Sequence, residues 1–286
     1  MKQFVAALMW CLSWLPFSVI SLMGKALGWL LYHLAGERRR VGMINLGLCL
    51  PELTESERQQ LLRQHFQHMA TMLLEYGYCW YASPERLRRM VRLEGEEHLR
   101  AVAGRPVILF AAHFVGLELA GIRLSADLPM VTIYSKQKNR DLDAIIVEKR
   151  GRFPQSELAS RQDGVRPLVK AMKRGKAAYY LPDQDFGPDD SIFVPFFGVE
   201  AATVPALPRL ARLAGAAVVP CMVRRENDGY VLRCYPAWED YPGETVQVDT
   251  RRMNAFIEDR IREAPAQYFW LHKRFKTRPE GQARYY

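Results

Sequence analysis

Val107-Ile108-Leu109-Phe110-Ala111-Ala112-His113-Phe114-Val115-Gly116-Leu117-Glu118 is the stretch from which the fold of this chain is read. Its first five residues are apolar without alternation, the pattern of a strand buried on both faces. Beyond Gly116 the pattern changes to a helical one, with Leu117, Ala120, Ile122 and Leu124 as inward residues. A strand passing through a tight turn into a helix is where open α/β folds place their ligands. His113 falls in that turn and Glu118 at the start of the helix. On a single regular helix, positions five apart point about 140° from each other. The two side chains therefore meet only if His113 precedes the helix. A histidine so placed can take a proton from a hydroxyl, and a nearby carboxylate can fix its tautomer and stabilise the imidazolium.

Working outward, short apolar runs alternate with helical patterns from Arg92 onward. Strands are predicted at Val107–Ala111, Met130–Tyr134, Ala177–Leu181, Val218–Val223 and Tyr230–Cys234. Helices are predicted at Glu118–Leu124, Asp141–Arg150, Val165–Lys173, Pro205–Leu213 and Thr250–Arg262. This alternation predicts an α/β fold with a mostly parallel central sheet flanked by helices. Before it, Thr54 and Glu57 form a capping-box pattern for a long helix reaching toward Trp80, and Ser83-Pro84 opens a shorter one.

The N-terminus is of another character. Phe4 to Met23 carries no charge, Pro16 interrupts it, and Ala26 to Ala35 is again apolar before Arg38-Arg39-Arg40. The length suits either one kinked membrane span or a helix lying in the interface. Trp10, Trp14 and Trp29 suit interfacial anchors, and the arginines place the remainder of the chain on the cytoplasmic side. The expected organisation is a membrane anchor over residues 1–40 and one catalytic domain over residues 41–286.

The 286 residues include 40 basic and 31 acidic side chains, a net charge of +9 that suits anionic partners. The five cysteines are scattered without metal-ligand spacing, so neither a disulfide framework nor a zinc site is expected. Four further groups carry candidate chemistry. Lys149, Arg150 and Arg152 form a basic cluster that reads as a solvated helix end or as an anchor for a phosphate or a developing oxyanion. Asp183-Gln184-Asp185 follows another predicted strand; it reads as a polar turn or as the acid pair of a metal-dependent glycosyltransferase. Phe193-Val194-Pro195-Phe196-Phe197-Gly198 reads either as core or, more sharply, as an apolar groove for an acyl chain that includes Phe196 and Phe197. The tail from Trp270 to Pro279 mixes aromatics with cations, a composition suited to nucleic acid or to a phosphorylated lipid head group, and the apolar N-terminus favours the lipid.

Taken in order, these blocks resemble the bacterial lipid A secondary (lauroyl/myristoyl) acyltransferases of the lysophospholipid acyltransferase superfamily. The resemblance runs from Arg38-Arg39-Arg40, Asn45-Leu46 and Leu50-Pro51-Glu52, through Leu181 to Gly198, to His272-Lys273-Arg274-Phe275-Lys276-Thr277-Arg278-Pro279. It implies a glycerolipid-acyltransferase-like domain. It also implies transfer of a fatty acyl group from acyl carrier protein to a hydroxyl on a primary acyl chain of a lipid A precursor, at the cytoplasmic face of the inner membrane. His113 would be the general base and Glu118 its orienting partner. Arg150, or alternatively Arg152, would hold the thioester oxyanion or an acceptor phosphate. Asp183, Gln184, Asp185, Phe196 and Phe197 would shape the site. No metal, cofactor or nucleic acid is implied; the partners are acyl carrier protein, the lipid A precursor and inner-membrane phospholipid. Three other readings stay open at this stage: a glycerolipid acyltransferase with another acceptor, the glycosyltransferase, and a non-catalytic membrane-docking protein.

Overall fold

The computed structural model describes residues 2–137, 139–226 and 229–286. Its helices are α1 (Lys2–Trp14), α2 (Phe17–Leu34), α3 (Gly36–Cys49), α4 (Glu55–Leu74), α5 (Tyr76–Tyr81), α6 (Pro84–Met90), α7 (Glu96–Arg100), α8 (Leu117–Asp127), α9 (Arg140–Arg150), α10 (Arg166–Lys173), α11 (Ala206–Ala214) and α12 (Val246–Glu263). Its strands are β1 (Val91–Glu94), β2 (Val107–Phe110), β3 (Met130–Tyr134), β4 (Ser156–Ser160), β5 (Ala177–Tyr180), β6 (Ile192–Phe196), β7 (Val199–Thr203), β8 (Ala217–Glu226) and β9 (Gly229–Cys234).

Among the described residues seven strands form one sheet in the order β1-β9-β8-β2-β5-β3-β4. Every neighbouring pair is parallel except β8 with β9. β2 lies at the centre, between β8 and β5. Ile108, Leu109 and Phe110 are fully buried, which accounts for the unbroken apolar run. β8 and β9 run antiparallel because only the short link between Glu226 and Gly229 joins them, too short for a parallel crossover. The expected mixed α/β architecture with a mostly parallel sheet is present.

Four strands went unpredicted, two of them in the main sheet and two in a separate hairpin. β1 and β4 are the sheet edges, and their sequences, Val-Arg-Leu-Glu and Ser-Glu-Leu-Ala-Ser, lack the apolar content of strands covered on both sides. The long helix expected to reach Trp80 breaks at Glu75 into α4 and α5, while its capping box at Thr54 and Glu57 forms as read. The string Phe193 to Gly198 belongs to a separate two-stranded hairpin, β6 with β7. Phe196 pairs with Val199, so Phe197 and Gly198 alone make the turn, both with positive φ (51° and 75°). That is the geometry a two-residue hairpin turn requires.

The N-terminal helices lie along the domain. α1 packs on α5, and α2 packs along α4. α2 approaches α4 closely because it is glycine-bearing there: a Cβ on Gly28 would fall 2.3 Å from the Gln67 Cα, and one on Gly24 would fall 2.6 Å from the Thr71 Cα. The opposite face is apolar and exposed, with Phe4, Trp10, Trp14, Leu22, Trp29 and Leu34 among its side chains. α2 alone is long and apolar enough to cross a membrane, by length and composition, among the described residues.

The C-terminal tail closes the fold. Trp270 and Phe275 are core residues, and buried Arg274 donates to the Ala202 carbonyl and to Thr203 Oγ1, both at 2.8 Å. Asn45 Nδ2 donates to the carbonyls of Trp270 and His272, each at 2.7 Å. Of the segment expected to face a lipid head group, the aromatics Trp270 and Phe275 instead fill the interior and Arg274 is taken up by the Ala202 carbonyl and the Thr203 hydroxyl, while Lys276 stays exposed.

Candidate active site

The register of the central sheet builds the site. Phe110 on β2 pairs with Tyr180 on β5, and Ala111 N–H donates to the Tyr180 carbonyl at 3.0 Å. Three residues beyond that pair on each parallel strand stand His113 and Asp183. Equal offsets from one register point bring them out side by side at the carboxyl end of the sheet. His113 Nδ1 lies 2.6 Å from Asp183 Oδ1, and the His113 backbone N–H donates to Asp183 Oδ2 at 2.9 Å. The turn carrying His113 is clamped by the C-terminal segment. The His113 carbonyl accepts from Phe269 N–H at 2.9 Å, and Val115 N–H donates to the Gln267 carbonyl at 2.8 Å. Gly116 then starts α8 with φ 85°, and a Cβ there would strike the Tyr230 ring at 2.3 Å, so only glycine fits.

Asp183 is fully buried. Burial alone would raise its pKa. Attraction to His113 and the hydrogen bonds from it outweigh burial and hold the carboxyl below the usual range. Asp183 is thus ionised at neutral pH and can only accept, so Nδ1 of His113 carries a proton. Nε2 has no hydrogen-bond partner among the described residues, and His113 lines a cavity of about 780 Å³. This is the arrangement of a general base.

Among the described residues Glu118 makes no hydrogen bond with His113. It forms a two-pronged pair with Arg150: Nε donates to Oε2 at 3.0 Å, and Nη2 donates to Oε1. The orienting contact expected from Glu118 is made by Asp183 instead. The first turn of α8 brings Glu118 to the C-terminal end of α9, where Arg150 takes both of its carboxylate oxygens. Tyr76 of α5 completes this second group, its hydroxyl interacting with Arg150. Burial and the Glu118 charge push the Tyr76 phenol well up, so it stays protonated. Glu118, Arg150 and Tyr76 all line the same cavity as His113.

The other expected site residues separate. Gln184 lines the cavity. Asp185 points elsewhere: its carboxylate accepts from Gly187 N–H (2.8 Å), Thr277 N–H (2.8 Å) and Thr277 Oγ1 (2.9 Å), tying the tail to the strand-end turn. The two acids of the Asp-x-Asp are thus committed to different partners and do not converge, which removes the geometric basis of a shared metal site. Arg152 lies outside the cavity lining; it donates to the Ala82 carbonyl at 2.9 Å and stacks on Phe153. Phe196 and Phe197 lie outside it as well. Phe196 is fully buried against Tyr268 and Phe275, and Phe197 lies under Arg262. The apolar wall of the cavity comes instead from Leu117, Ile122, Ile133, Val165 and Tyr179. Sequence reading missed Tyr76 and that wall, since neither carries a local signature.

The family model for bacterial lipid A biosynthesis acyltransferases matches residues 1–277. The lipid A biosynthesis lauroyltransferase of Escherichia coli (strain K12) is 37% identical over 278 residues, covering 96% of this chain and 90% of that protein. The palmitoleoyltransferase of the same organism is 33% identical, covering 99% and 93%. Its myristoyltransferase is 30% identical, covering 89% and 80%. A whole-length match of this kind, together with a strand-end histidine opening on a large cavity, means that this chain belongs to the bacterial lipid A biosynthesis acyltransferase family and is an acyltransferase.

Proposed function

We propose that this protein transfers a fatty acyl group from acyl carrier protein to a hydroxyl on a primary acyl chain of a lipid A precursor, with His113 as general base and Asp183 as the residue that orients it. The observation that carries this reading is the 2.6 Å contact between His113 Nδ1 and Asp183 Oδ1, which leaves Nε2 to the cavity.

The steps follow from that geometry. His113 Nε2 removes the acceptor hydroxyl proton as the oxygen attacks the thioester carbonyl. Asp183 stabilises the imidazolium that forms. The tetrahedral oxyanion needs a donor, and two groups at the cavity can supply one: the Arg150 guanidinium and the N-terminal end of α8, whose first residues line the cavity. Collapse of the intermediate breaks the carbon–sulfur bond, and the leaving thiolate takes the proton back from His113. Thioesters are already activated, so no covalent enzyme intermediate is needed. Glu118 holds Arg150 in place, and Tyr76 supports it. The basic surface suits both an acidic carrier protein and a phosphorylated acceptor. Residues 1–40 dock the domain on the cytoplasmic face of the inner membrane. The packing of α2 along α4, with the opposite face apolar, supports helices lying in the interface rather than spanning it.

The test is purified His113→Ala protein assayed with acyl carrier protein thioester and a lipid A precursor. Turnover falls by about two to four orders of magnitude if His113 is the base. A folded variant with near wild-type turnover overturns the mechanism.

A further inference from the structure

Away from the catalytic cavity, an open pocket of about 580 Å³ lies where α2, α3 and α4 meet. Its cations are Arg39 and Arg40 of α3 and Arg63 of α4. The guanidiniums of Arg39 and Arg63 both lie over the Tyr32 ring, at 5.4 and 5.3 Å from its centre. Among the described residues Arg39 donates only to the Tyr32 carbonyl, at 3.1 Å. None of the three arginines has a carboxylate partner within ion-pair distance among the described residues. The acids nearby are engaged: Glu37 pairs with Lys273 at 3.0 Å, and Glu55, on the pocket wall, accepts from Gln59 Nε2 at 3.2 Å. Three guanidiniums against the single carboxylate of Glu55 leave the pocket lining with an excess of positive charge. That excess suits an anion.

The position of the pocket selects the anion. His33 lines it, and the His33 ring packs edge-on against Trp29 at 4.9 Å. Trp29 and Leu34 are 61% and 71% exposed and belong to the apolar face of α1 and α2. Cations at the rim of an exposed apolar face with an interfacial tryptophan between them match the layering of a bilayer: acyl chains below, phosphates at the level of the arginines. A protein partner such as acyl carrier protein would supply negative charge but would leave that apolar face in water.

We propose that Arg39, Arg40 and Arg63 form a binding pocket for the phosphate of an anionic glycerophospholipid, which sets the depth and tilt at which the α1–α2 face enters the membrane. The site is separate from His113 and does not depend on the catalytic mechanism.

The experiment is flotation of full-length protein with vesicles of phosphatidylcholine alone or mixed with phosphatidylglycerol. The wild type prefers the mixed vesicles. Each surface arginine contributes about fivefold to such a preference. The double variant Arg40→Gln/Arg63→Gln, which keeps the Arg39 contact to Tyr32, therefore loses roughly 25-fold. Its binding to phosphatidylcholine through the apolar face is unchanged. A control that removes two exposed cations elsewhere, Arg105→Gln/Lys173→Gln, keeps most of the preference. Equal loss in the control overturns the pocket in favour of bulk charge. A double variant with wild-type preference overturns it outright. A variant that binds vesicles normally but shows a raised KM for acyl carrier protein reassigns the pocket to the donor. Hydrolysis of a soluble acyl thioester at the wild-type rate by each variant shows that the fold and the His113 site are intact.

Discussion

Two histidines flank the Asp183-Gln184-Asp185 turn, and they are put to opposite uses. His113 takes the carboxylate of Asp183 on Nδ1 and leaves Nε2 to the cavity. His272 gives up its Nε2 as acceptor for the Asp185 backbone N–H at 3.1 Å. Burial, reinforced by the Arg274 charge, brings the His272 pKa down to about 4. The first ring can accept a proton during a reaction, while the second is locked neutral inside a strap. The two aspartates divide the same way, one serving a histidine and the other the Thr277 backbone and hydroxyl. A histidine beside an acid is therefore no sign of catalysis in itself. What separates the two is which ring nitrogen remains unpartnered, and whether it faces space.

The comparison breaks most sharply at Asp183. Asp183→Asn removes the charge that stabilises the imidazolium and permits the wrong tautomer, so kcat falls by about three orders of magnitude. The KM values stay within about threefold, because the substrates' own contacts remain. Steady-state kinetics on protein whose melting temperature matches the wild type is the check. A variant that keeps a tenth or more of the wild-type kcat, an order-of-magnitude threshold, would return the orienting role to Glu118.

Asp185 is expected to behave inversely. Asp185→Asn loses a charged acceptor of three hydrogen bonds and costs about 2–3 kcal/mol of stability. The kcat per folded molecule changes little. Denaturant unfolding beside active-site-normalised kinetics separates the two effects, and an intact stability with lost turnover would count against the division.

The smallest effect is a pH dependence of stability. The folded-state pKa of His272 is about 4, below its ordinary 6.5, so as the pH falls the unfolded chain takes up the proton first. Its contribution is complete above pH 6.5 and disappears as the pH falls toward 4. At pH 5 the loss is on the order of 2 kcal/mol. Buried His65, brought to about 3 by desolvation, adds a loss of the same sign. His272→Gln keeps an acceptor for the Asp185 amide and cannot titrate, so its melting temperature should fall less steeply between pH 6.5 and 4. Equal slopes for the two proteins would mean that His272 does not titrate in that window.

Much of this was legible before folding because it is local. β3 was read to its exact ends, and β2 and β5 to within a residue, since strands covered on both faces must be apolar throughout. The turn at His113 was legible from the change of period at Gly116. The Phe197-Gly198 hairpin was also recoverable, as two apolar runs separated by two residues ending in glycine are a hairpin signal. The edge strands were not, because half-covered strands carry little pattern.

The sequence by itself determined the class of fold, the strand-turn-helix that presents His113, the apolar N-terminal helices, and the family through its ordered motifs. Only the tertiary structure decided which acid contacts the His113 ring. Sequence proximity favoured Glu118, five residues away, over Asp183, seventy residues away. The register of two parallel strands reverses that order, because Phe110 and Tyr180 are neighbours in space and equal steps beyond them arrive together. Likewise, no local pattern distinguishes an arginine aimed at a cavity from one aimed at a carbonyl. Arg150 and Arg152 differ by two positions, and the end of α9 alone sends one to Glu118 and the other to Ala82.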